Sequence, residues 1–349
     1  MPRSLAQFVV KAFNDEQIRF LICTSTLIEG VNTKAKNVLI WDNTIGNNRP
    51  LDFFTFNNIR GRSGRMFQHF VGRVFIFEEP PQEVLPFVDF PLFTQDSTVP
   101  DSLLIQIDDE DLKPSSQDRM AKYSDEKLLP LEVLRGNHSI DPERQLALAK
   151  RIEVNAKTIS SRLAWKAFPK YEELKFACEL IWETLVEASR RQGVFSGSQL
   201  ALKTFQLMQT KSISKRVKTE LQPGQYAAKS PDEAVERVLQ FERSWAGFEL
   251  PKLFRALSSI QKAVLSRQGL PFGDYTVFAA QAESLFRSPV VAALDEYGIP
   301  IEVGEKLTVF LKTKDDLDIA LAELKNLSLR NIKLPSFEVQ LIRNAQEGL

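Results

Sequence analysis

The spacing of apolar residues changes along the chain, and its first part has the pattern of a parallel sheet. Three short apolar runs predict buried strands at residues 19–23, 37–41 and 72–77. Between the last two runs, residues 52–66 predict a helix that packs three phenylalanines inward, namely Phe53, Phe54 and Phe56. Strands that alternate with helices favour a parallel sheet with helices on its faces.

The pattern becomes helical in the second half. Prolines punctuate residues 80–129, which predict an extended connector. Asp141-Pro142-Glu143 and Ser230-Pro231-Asp232-Glu233 are typical helix starts, with a capping side chain followed by proline. A further helix is predicted over residues 172–191 from its apolar spacing.

These patterns predict an α/β fold followed by an all-α region. The predicted parts are a partial parallel-sheet domain at 1–79, the proline-rich connector at 80–129, a helical module at 130–220 and a helical carboxyl-terminal domain at 221–349. The helical stripes are interpreted as ordinary core, not as cofactor contacts.

Composition narrows the class of protein without deciding it. Lys and Arg number 45, as do Asp and Glu, so the net charge is zero and any nucleic-acid surface must be local. No apolar run is long enough to cross a bilayer, so no membrane partner is expected. The two isolated cysteines, Cys23 and Cys178, are interpreted as free thiols, which suits a cytoplasmic location. His69 and His138 lack ligand-spaced neighbours, so no metal site is predicted.

Two polar motifs in the first 65 residues carry the candidate chemistry. Asn58-Ile59-Arg60-Gly61-Arg62-Ser63-Gly64-Arg65 sets Arg62 and Arg65 three residues apart beside glycines, so that both guanidiniums can reach one anion. Arginines of this kind can stabilise a transferred phosphoryl group. Thr24-Ser25-Thr26-Leu27-Ile28-Glu29-Gly30-Val31-Asn32 lies some thirty residues earlier. The alternative interpretation of the arginine motif is an Arg/Gly-rich surface loop without a ligand.

Together the two segments resemble motifs V and VI of superfamily 2 nucleic-acid helicases, most closely the superkiller-type DEAD/DEAH-box branch. Residues 24–32 fit motif V, and residues 58–65 fit the motif VI pattern Q-x-x-G-R-x-G-R except that Asn58 replaces Gln. The resemblance covers roughly residues 2–79 and implies part of the second RecA-like domain. In this family, winged-helix and helical domains follow the motor, and residues 130–220 are compatible with such a module.

The resemblance also implies roles for individual residues. Arg62 and Arg65 take the place of the arginine fingers that contact the γ-phosphate. Four further positions would lie near the nucleotide, namely Asn58, Gly61, Gly30 and Asn32. The motif V hydroxyls that would contact the nucleic-acid strand are those of Thr24 and Thr26.

The chain lacks the other half of such an active site. It contains no G-x-x-x-x-G-K-[ST] loop to hold nucleotide phosphates, and no acidic pair after a strand to hold Mg²⁺. The acidic run at 108–111 lies downstream of motif VI and is interpreted as a solvated turn or helix start, not as a metal site. ATP and Mg²⁺ are therefore expected cofactors of the complete enzyme, and this chain alone is expected to bind neither stably and to be inactive. The implied partner is an amino-terminal RecA-like motor domain, joined in cis or supplied in trans.

A stretch of one charge sign marks the second half. From residue 188 to 219 there is no acid, while seven bases occur, namely Arg190, Arg191, Lys203, Lys211, Lys215, Arg216 and Lys218. Lysine and arginine among Ser, Thr and Gln suit contact with a phosphate backbone. Six of them are candidate contacts to DNA or RNA: Arg190, Arg191, Lys211, Lys215, Arg216 and Lys218. The alternative is a solvated cationic face with no partner.

The leading hypothesis is the carboxyl-terminal part of an ATP-dependent nucleic-acid helicase. It would supply arginine fingers and strand contacts to a composite ATPase site. The alternative hypothesis is a non-catalytic nucleic-acid-binding or interaction protein that retains a helicase remnant as scaffold.

Overall fold

The chain forms two compact units. The computed structural model describes residues 3–24, 33–45, 49–64, 71–83, 91–124, 127–191, 193–210, 212–313 and 316–349. Residues 1–88 and 290–349 make one unit, here called the sheet unit, and residues 89–289 make the other, here called the helical unit. The chain is mainly helical and contains a small parallel sheet, which confirms the coarse part of the predicted fold class.

The parallel sheet of the sheet unit has two strands in the described part of the chain. Strand β1 (Asn37–Ile40) pairs in parallel with β4 (Arg73–Ile76), so that Asn37 lies opposite Arg73 and Ile40 opposite Ile76. Both were predicted, and their existence is confirmed. Between them, β2 (Thr44–Ile45) and β3 (Arg49–Pro50) form a short antiparallel pair.

Helix α2 (Phe53–Arg60) covers one face of this sheet. It begins at Asp52, whose side chain accepts hydrogen bonds from the Thr55 amide and hydroxyl, both at 2.8 Å. The small core it closes consists of Val38, Ile40, Leu51, Phe56 and Ile59. The helix stops at residue 60, short of the predicted 66. The prediction that Phe54 packs inward is wrong, because its side chain is 71% exposed.

The strand predicted over residues 19–23 is also wrong. This segment has no regular structure, and Phe20 and Ile22 are 89% and 100% exposed. An apolar run becomes a strand only where a neighbouring edge accepts its hydrogen bonds, and no described strand pairs with this one.

The rest of the sheet unit is helical. Helix α1 (Arg3–Asn14) packs against the last helix of the chain: the rings of Phe8 and Phe337 meet edge to face at 4.6 Å, and Lys11 Nζ donates to Asn344 Oδ1 at 2.6 Å. A separate core, which includes Leu294, Val303, Leu307, Leu324 and Ile342, joins the helices after residue 289. Those helices, labelled α15 to α18 after the helices below, are Pro289–Leu294, Ile301–Leu307, Leu317–Lys325 and Ser336–Gly348, with a 3₁₀ turn at Leu329–Asn331.

The helical unit is built around one continuous core. Its helices α3 to α9 are Pro91–Thr94, Asp101–Leu104, Pro114–Ser124, Leu131–Gly136, Pro142–Val154, Ala156–Leu163 and Tyr171–Thr184. Helices α10 to α14 are Gly197–Gln209, Ile213–Glu220, Pro231–Gln240, Leu250–Arg267 and Thr276–Glu283. Short 3₁₀ helices span Asp109–Asp111 and Ala188–Arg190. The largest fully buried rings are those of Trp245, Tyr123, Tyr275, Phe254 and Phe278.

Both predicted helix starts in this unit are confirmed. The Asp141 carboxylate accepts from the Glu143 amide at 2.8 Å, and the Ser230 hydroxyl accepts from the Glu233 amide at 3.2 Å. The acidic run at 108–111 is exposed and Asp109–Asp111 form a short 3₁₀ helix, which agrees with the predicted solvated turn or helix start.

A nine-residue π-helix, Phe241–Glu249, separates α12 from α13. Pro251 follows it and has no amide hydrogen to donate to the preceding turn. The wider turn also places Trp245 inside the core, where its ring stacks on Trp182 at 6.0 Å. A long π-helix is rare and is often found near functional sites.

The boundaries between the two compact units lie between residues 88 and 89 and between residues 289 and 290. Residues 130–220 and 221–289 therefore share one unit, and residues 91–124 of the predicted connector contribute buried Leu104, Met120 and Tyr123 to its core. None of the described helices is both long and apolar enough to cross a membrane.

Candidate functional site: the arginine-glycine loop and the basic segment

The arginine-glycine loop (residues 58–65) begins in the last turn of α2, which ends at Arg60. The Gly61 amide donates to the Asn57 carbonyl at 2.8 Å, and the next two amides, of Arg62 and Ser63, continue the turn at 3.1 Å each. The Ser63 hydroxyl donates back to the Arg60 carbonyl at 2.8 Å. The backbone of the loop is therefore fixed up to residue 64.

A close glycine–glycine approach fastens the loop to the sheet. Gly64 has φ +64°, and a Cβ atom there would lie 2.5 Å from the Gly72 Cα. The Gly64 amide donates to the Ala35 carbonyl at 3.2 Å. Ala35 lies two residues before β1 and Gly72 lies directly before β4, so the loop lies at the amino-terminal ends of the two strands.

The structure places only some of the residues that the two motifs singled out. Arg62 is half-buried, Asn58 and Gly61 are exposed, and Thr24 is exposed outside any strand. Thr26, Gly30, Asn32 and Arg65 lie outside the described residues. The convergence of Arg62 and Arg65 on one anion therefore stays a prediction.

One amide near the loop was not anticipated from the sequence. The Asn57 Oδ1 atom is buried, and no donor among the described residues reaches it. Asn57 directly precedes Asn58, and its backbone carbonyl accepts the hydrogen bond from the Gly61 amide. The buried side-chain oxygen of Asn57 therefore lies in the same turn as the arginine-glycine loop. A buried acceptor is expected to have a partner.

Two bases of the basic segment (residues 188–219) turn inward. Lys203 pairs with Glu220, and Arg216 pairs with Glu242; both cations are almost fully buried. Burial lowers the pKa of Lys203, and the Glu220 carboxylate opposes that effect. Because both acids lie outside residues 188–219, the sequence of the segment alone showed no acid. Arg216 therefore belongs to a buried ion pair, and its charge is not exposed to a nucleic-acid strand.

The other described bases of the segment face outward. Lys215 and Lys218, both on α11, are exposed and pair with no carboxylate in the described part of the chain. The exposed Arg191 holds its guanidinium 4.9 Å from the centre of the Trp182 ring. The Arg190 side chain and Lys211 lie outside the described residues. The outward-facing charge therefore rests on Arg191, Lys215 and Lys218.

An aromatic pair of the helical unit was missed from the sequence. The rings of Phe195 and Tyr226 stack at 5.3 Å with planes 16° apart, and Phe195 is 49% exposed. Tyr226 lies in a Gln-Pro-Gly-Gln-Tyr loop some thirty residues after Phe195, so sequence spacing gave no sign that the two rings meet.

Other chemistry is sparse in the described residues. No group of three His, Cys, Asp or Glu side chains is placed to hold a metal ion. Cys23 and Cys178 are free, and burial raises the pKa of both thiols, which makes them poor nucleophiles. Among the described residues, the two candidate sites therefore offer anion contact by arginine and lysine, and ring stacking.

Comparison with known proteins shows that the chain is similar to a curated bacterial protein. The chain is 32% identical to Anti-bacteriophage protein B of Escherichia coli (strain K12) over 331 residues, which is 91% of this chain and 45% of that protein. The chain therefore spans less than half the length of this relative. No protein-family model matches the chain, and no solved structure does.

Proposed function

We propose that this chain is the carboxyl-terminal part of an ATP-dependent superfamily 2 helicase of the superkiller type. The observation that carries the proposal is the arginine-glycine loop, in which a motif VI-like sequence coincides with a backbone that only glycine permits at Gly64 and Gly72. The contact between Gly64 and Gly72 fixes where the loop lies against the sheet, which supports a role in positioning its arginines.

In this proposal the loop acts on a transferred phosphoryl group. Arg62 and Arg65 contribute positive charge to the γ-phosphate, where negative charge is spread over the equatorial oxygens in the transition state. The glycines beside them leave room for the phosphate to approach. The segment from Thr24 to Asn32 contacts the nucleic-acid strand and the nucleotide.

The remaining parts of the site come from residues outside this chain. A RecA-like motor domain supplies the phosphate-binding loop and the Mg²⁺ ligands, and ATP and Mg²⁺ are the cofactors of the assembled site. The two-stranded sheet is part of a second RecA-like domain, and the helical unit includes a winged-helix module. The greater length of the E. coli relative leaves room for such a motor domain.

The helical unit supplies contacts to single-stranded DNA or RNA. Arg191, Lys215 and Lys218 contact phosphates, which gives binding without base selectivity. By analogy with the name of the E. coli relative, we propose that the activity serves defence against bacteriophage.

The second candidate function is a nucleic-acid-binding protein without catalysis. Its supporting observation is the absence of a phosphate-binding loop from the chain. In that case the arginine-glycine loop is a structural remnant, and only the outward bases of the helical unit have a role.

Hydrolysis measurements on two proteins separate the candidates. The isolated chain should show no Mg²⁺-dependent ATP hydrolysis. A chimera in which this chain replaces the matched span of the E. coli relative should hydrolyse ATP.

In that chimera Arg65→Ala should abolish turnover and spare ATP binding. Arg73 is an exposed arginine of strand β4, and Arg73→Ala should leave both turnover and ATP binding unchanged. Robust hydrolysis by the isolated chain, or an unaffected rate in Arg65→Ala, would overturn the helicase assignment.

A further inference from the structure

The aromatic pair of the helical unit has the features of a binding site for a base. We propose that Phe195 and Tyr226 form a stacking platform for an unpaired base of single-stranded nucleic acid, an inference that rests on the proposed strand contact by this unit. Stacking on aromatic side chains tolerates any base, because every base has a π-face.

The platform is held in place before a ligand arrives. Arg237 Nη1 donates to the Tyr226 carbonyl at 2.6 Å, and its guanidinium carbon lies 5.8 Å from the centre of the Phe195 ring. Arg237 is itself fixed by Glu233, at 2.6 Å from Nη2. The Ala228 amide donates to the Glu220 carbonyl at 2.8 Å and closes the loop that carries Tyr226 onto the end of α11. A base that stacks here would order few additional groups, which favours affinity.

The charge around the platform favours a polyanion over an apolar peptide. The acids Glu220, Glu233 and Glu242 are each engaged by a cation of the same unit, whereas Asp232 and Glu236 of α12 are exposed. Lys218, two residues before Glu220, is exposed, as is Lys215 one turn earlier. The end of α11, to which the loop of Tyr226 is hydrogen-bonded, therefore carries exposed positive charge, which favours a strand with phosphates between its bases.

Two of the other exposed phenylalanines of the unit, Phe168 and Phe248, lack this combination. Phe168 is 57% exposed and contacts only the Phe286 ring, at 6.4 Å, among the described aromatic contacts. Phe248 is 62% exposed, but the lysine near its ring, Lys252, pairs with Glu249 at 2.5 Å. Phe168 therefore provides a matched control for Phe195.

The test compares two strands that carry the same charge. Fluorescence anisotropy would measure binding of the full chain to an oligothymidylate and to an abasic strand of equal length, in DNA and in RNA form. Since one stacked base contributes about 1–3 kcal/mol, the wild type should prefer the strand with bases by roughly 5- to 150-fold. Phe195→Leu should remove most of that preference and leave binding to the abasic strand unchanged. Phe168→Leu should keep it.

The outcomes distinguish the platform from the strand contact on which it rests. If the wild type binds neither strand, the strand contact and the platform both fail. If the wild type binds both strands equally, the platform is wrong and the contact through phosphates stands. If Phe195→Leu weakens binding to both strands alike, or if circular dichroism shows that it is unfolded, the Tyr226→Leu variant is tested instead. A Tyr226→Leu variant that still prefers the strand with bases overturns the platform.

Discussion

The helical unit and the sheet unit bury their apolar residues differently. In the helical unit, rings and aliphatic side chains from residue 99 to 282 form one continuous core. In the sheet unit, the described buried residues fall into two separate groups, one around α2 and one among the helices after residue 289. The sheet unit therefore has less cooperative packing for its size.

Because the core of the sheet unit is divided, one face of the parallel sheet is left exposed to solvent. Val38 and Ile40 point to α2, while Leu39 and Trp41 on the opposite face are 57% and 75% exposed. The Phe77 ring meets Trp41 edge to face at 5.1 Å and is 65% exposed. Parallel sheets are normally covered on both faces. The comparison indicates that the helical unit folds on its own core and that the sheet unit is the weaker part of the chain.

The largest expected effect of this difference is on proteolysis. Under native conditions a nonspecific protease should first cut the exposed, irregular segments 15–24 and 77–83. The resistant fragment should begin near residue 90–100, because buried Val99 and Leu104 belong to the helical core. Mass spectrometry of the fragments checks this. Hydrogen exchange that found Val74–Phe77 as protected as α13 would contradict the ranking of the two units.

A buried ion pair gives the next largest effect, confined to the helical unit. Glu242→Ala leaves the Arg216 guanidinium buried without its partner, which should lower the free energy of unfolding of this unit by about 3–5 kcal/mol. The exposed, nearby Glu236→Ala should change it by less than about 0.5 kcal/mol. Urea denaturation followed by circular dichroism measures both. Equal stability of the two variants would show that Arg216 finds water or another partner.

The smallest effect concerns the helix cap of the sheet unit. Asp52→Ala removes the acceptor of the Thr55 amide and should cost about 1 kcal/mol at neutral pH. Hydrogen bonds from the Thr55 amide and hydroxyl lower the pKa of Asp52 below its ordinary value. Its contribution is therefore complete above the unfolded pKa near 3.9 and is lost as the pH falls through the lower folded value. The difference between variant and wild type should shrink below about pH 4.

Trp41 reports this change, because it is the one tryptophan of the sheet unit in the sequence. Urea unfolding followed by tryptophan fluorescence would be recorded for the chain and for Trp41→Phe, and the difference between the two traces is the Trp41 signal. The same pair of traces would then be recorded in the Asp52→Ala background. Asp15→Ala, an exposed acid of the same unit, serves as control. A cost that stayed constant from pH 7 to pH 3 would exclude a role for the ionised carboxylate.

The sequence predicted correctly those helices and strands whose capping residues or apolar runs lie close together in the chain. The caps at Asp141 and Ser230 and strands β1 and β4 are of this kind. The strand at 19–23 failed because its apolar run does not specify a pairing partner, and Phe54 failed because helical spacing does not tell which face meets a sheet.

Long-range pairing limited the prediction of the candidate sites. Arg216 and Lys203 belonged to the basic segment by sequence, but acids at 242 and 220 bring them into the core. The Phe195–Tyr226 pair depends on a loop closed by Arg237, which no spacing rule indicates. The motif resemblance, in contrast, singled out Gly64, whose positive φ and contact with Gly72 give it a structural reason.

The proposed function implies different roles for the two units: the sheet unit would supply charge to ATP hydrolysis and part of the strand contact through residues 24–32, and the helical unit would bind the strand through its bases and aromatic pair. It is tested most directly by steady-state hydrolysis in the chimera as a function of strand concentration, for Arg65→Ala and Phe195→Leu. We expect Arg65→Ala to lower the maximal rate by about 10³-fold or more with strand affinity unchanged. We expect Phe195→Leu to raise the half-saturating strand concentration by roughly fivefold or more with the maximal rate unchanged. A maximal rate for Arg65→Ala within about threefold of the wild type would contradict the account.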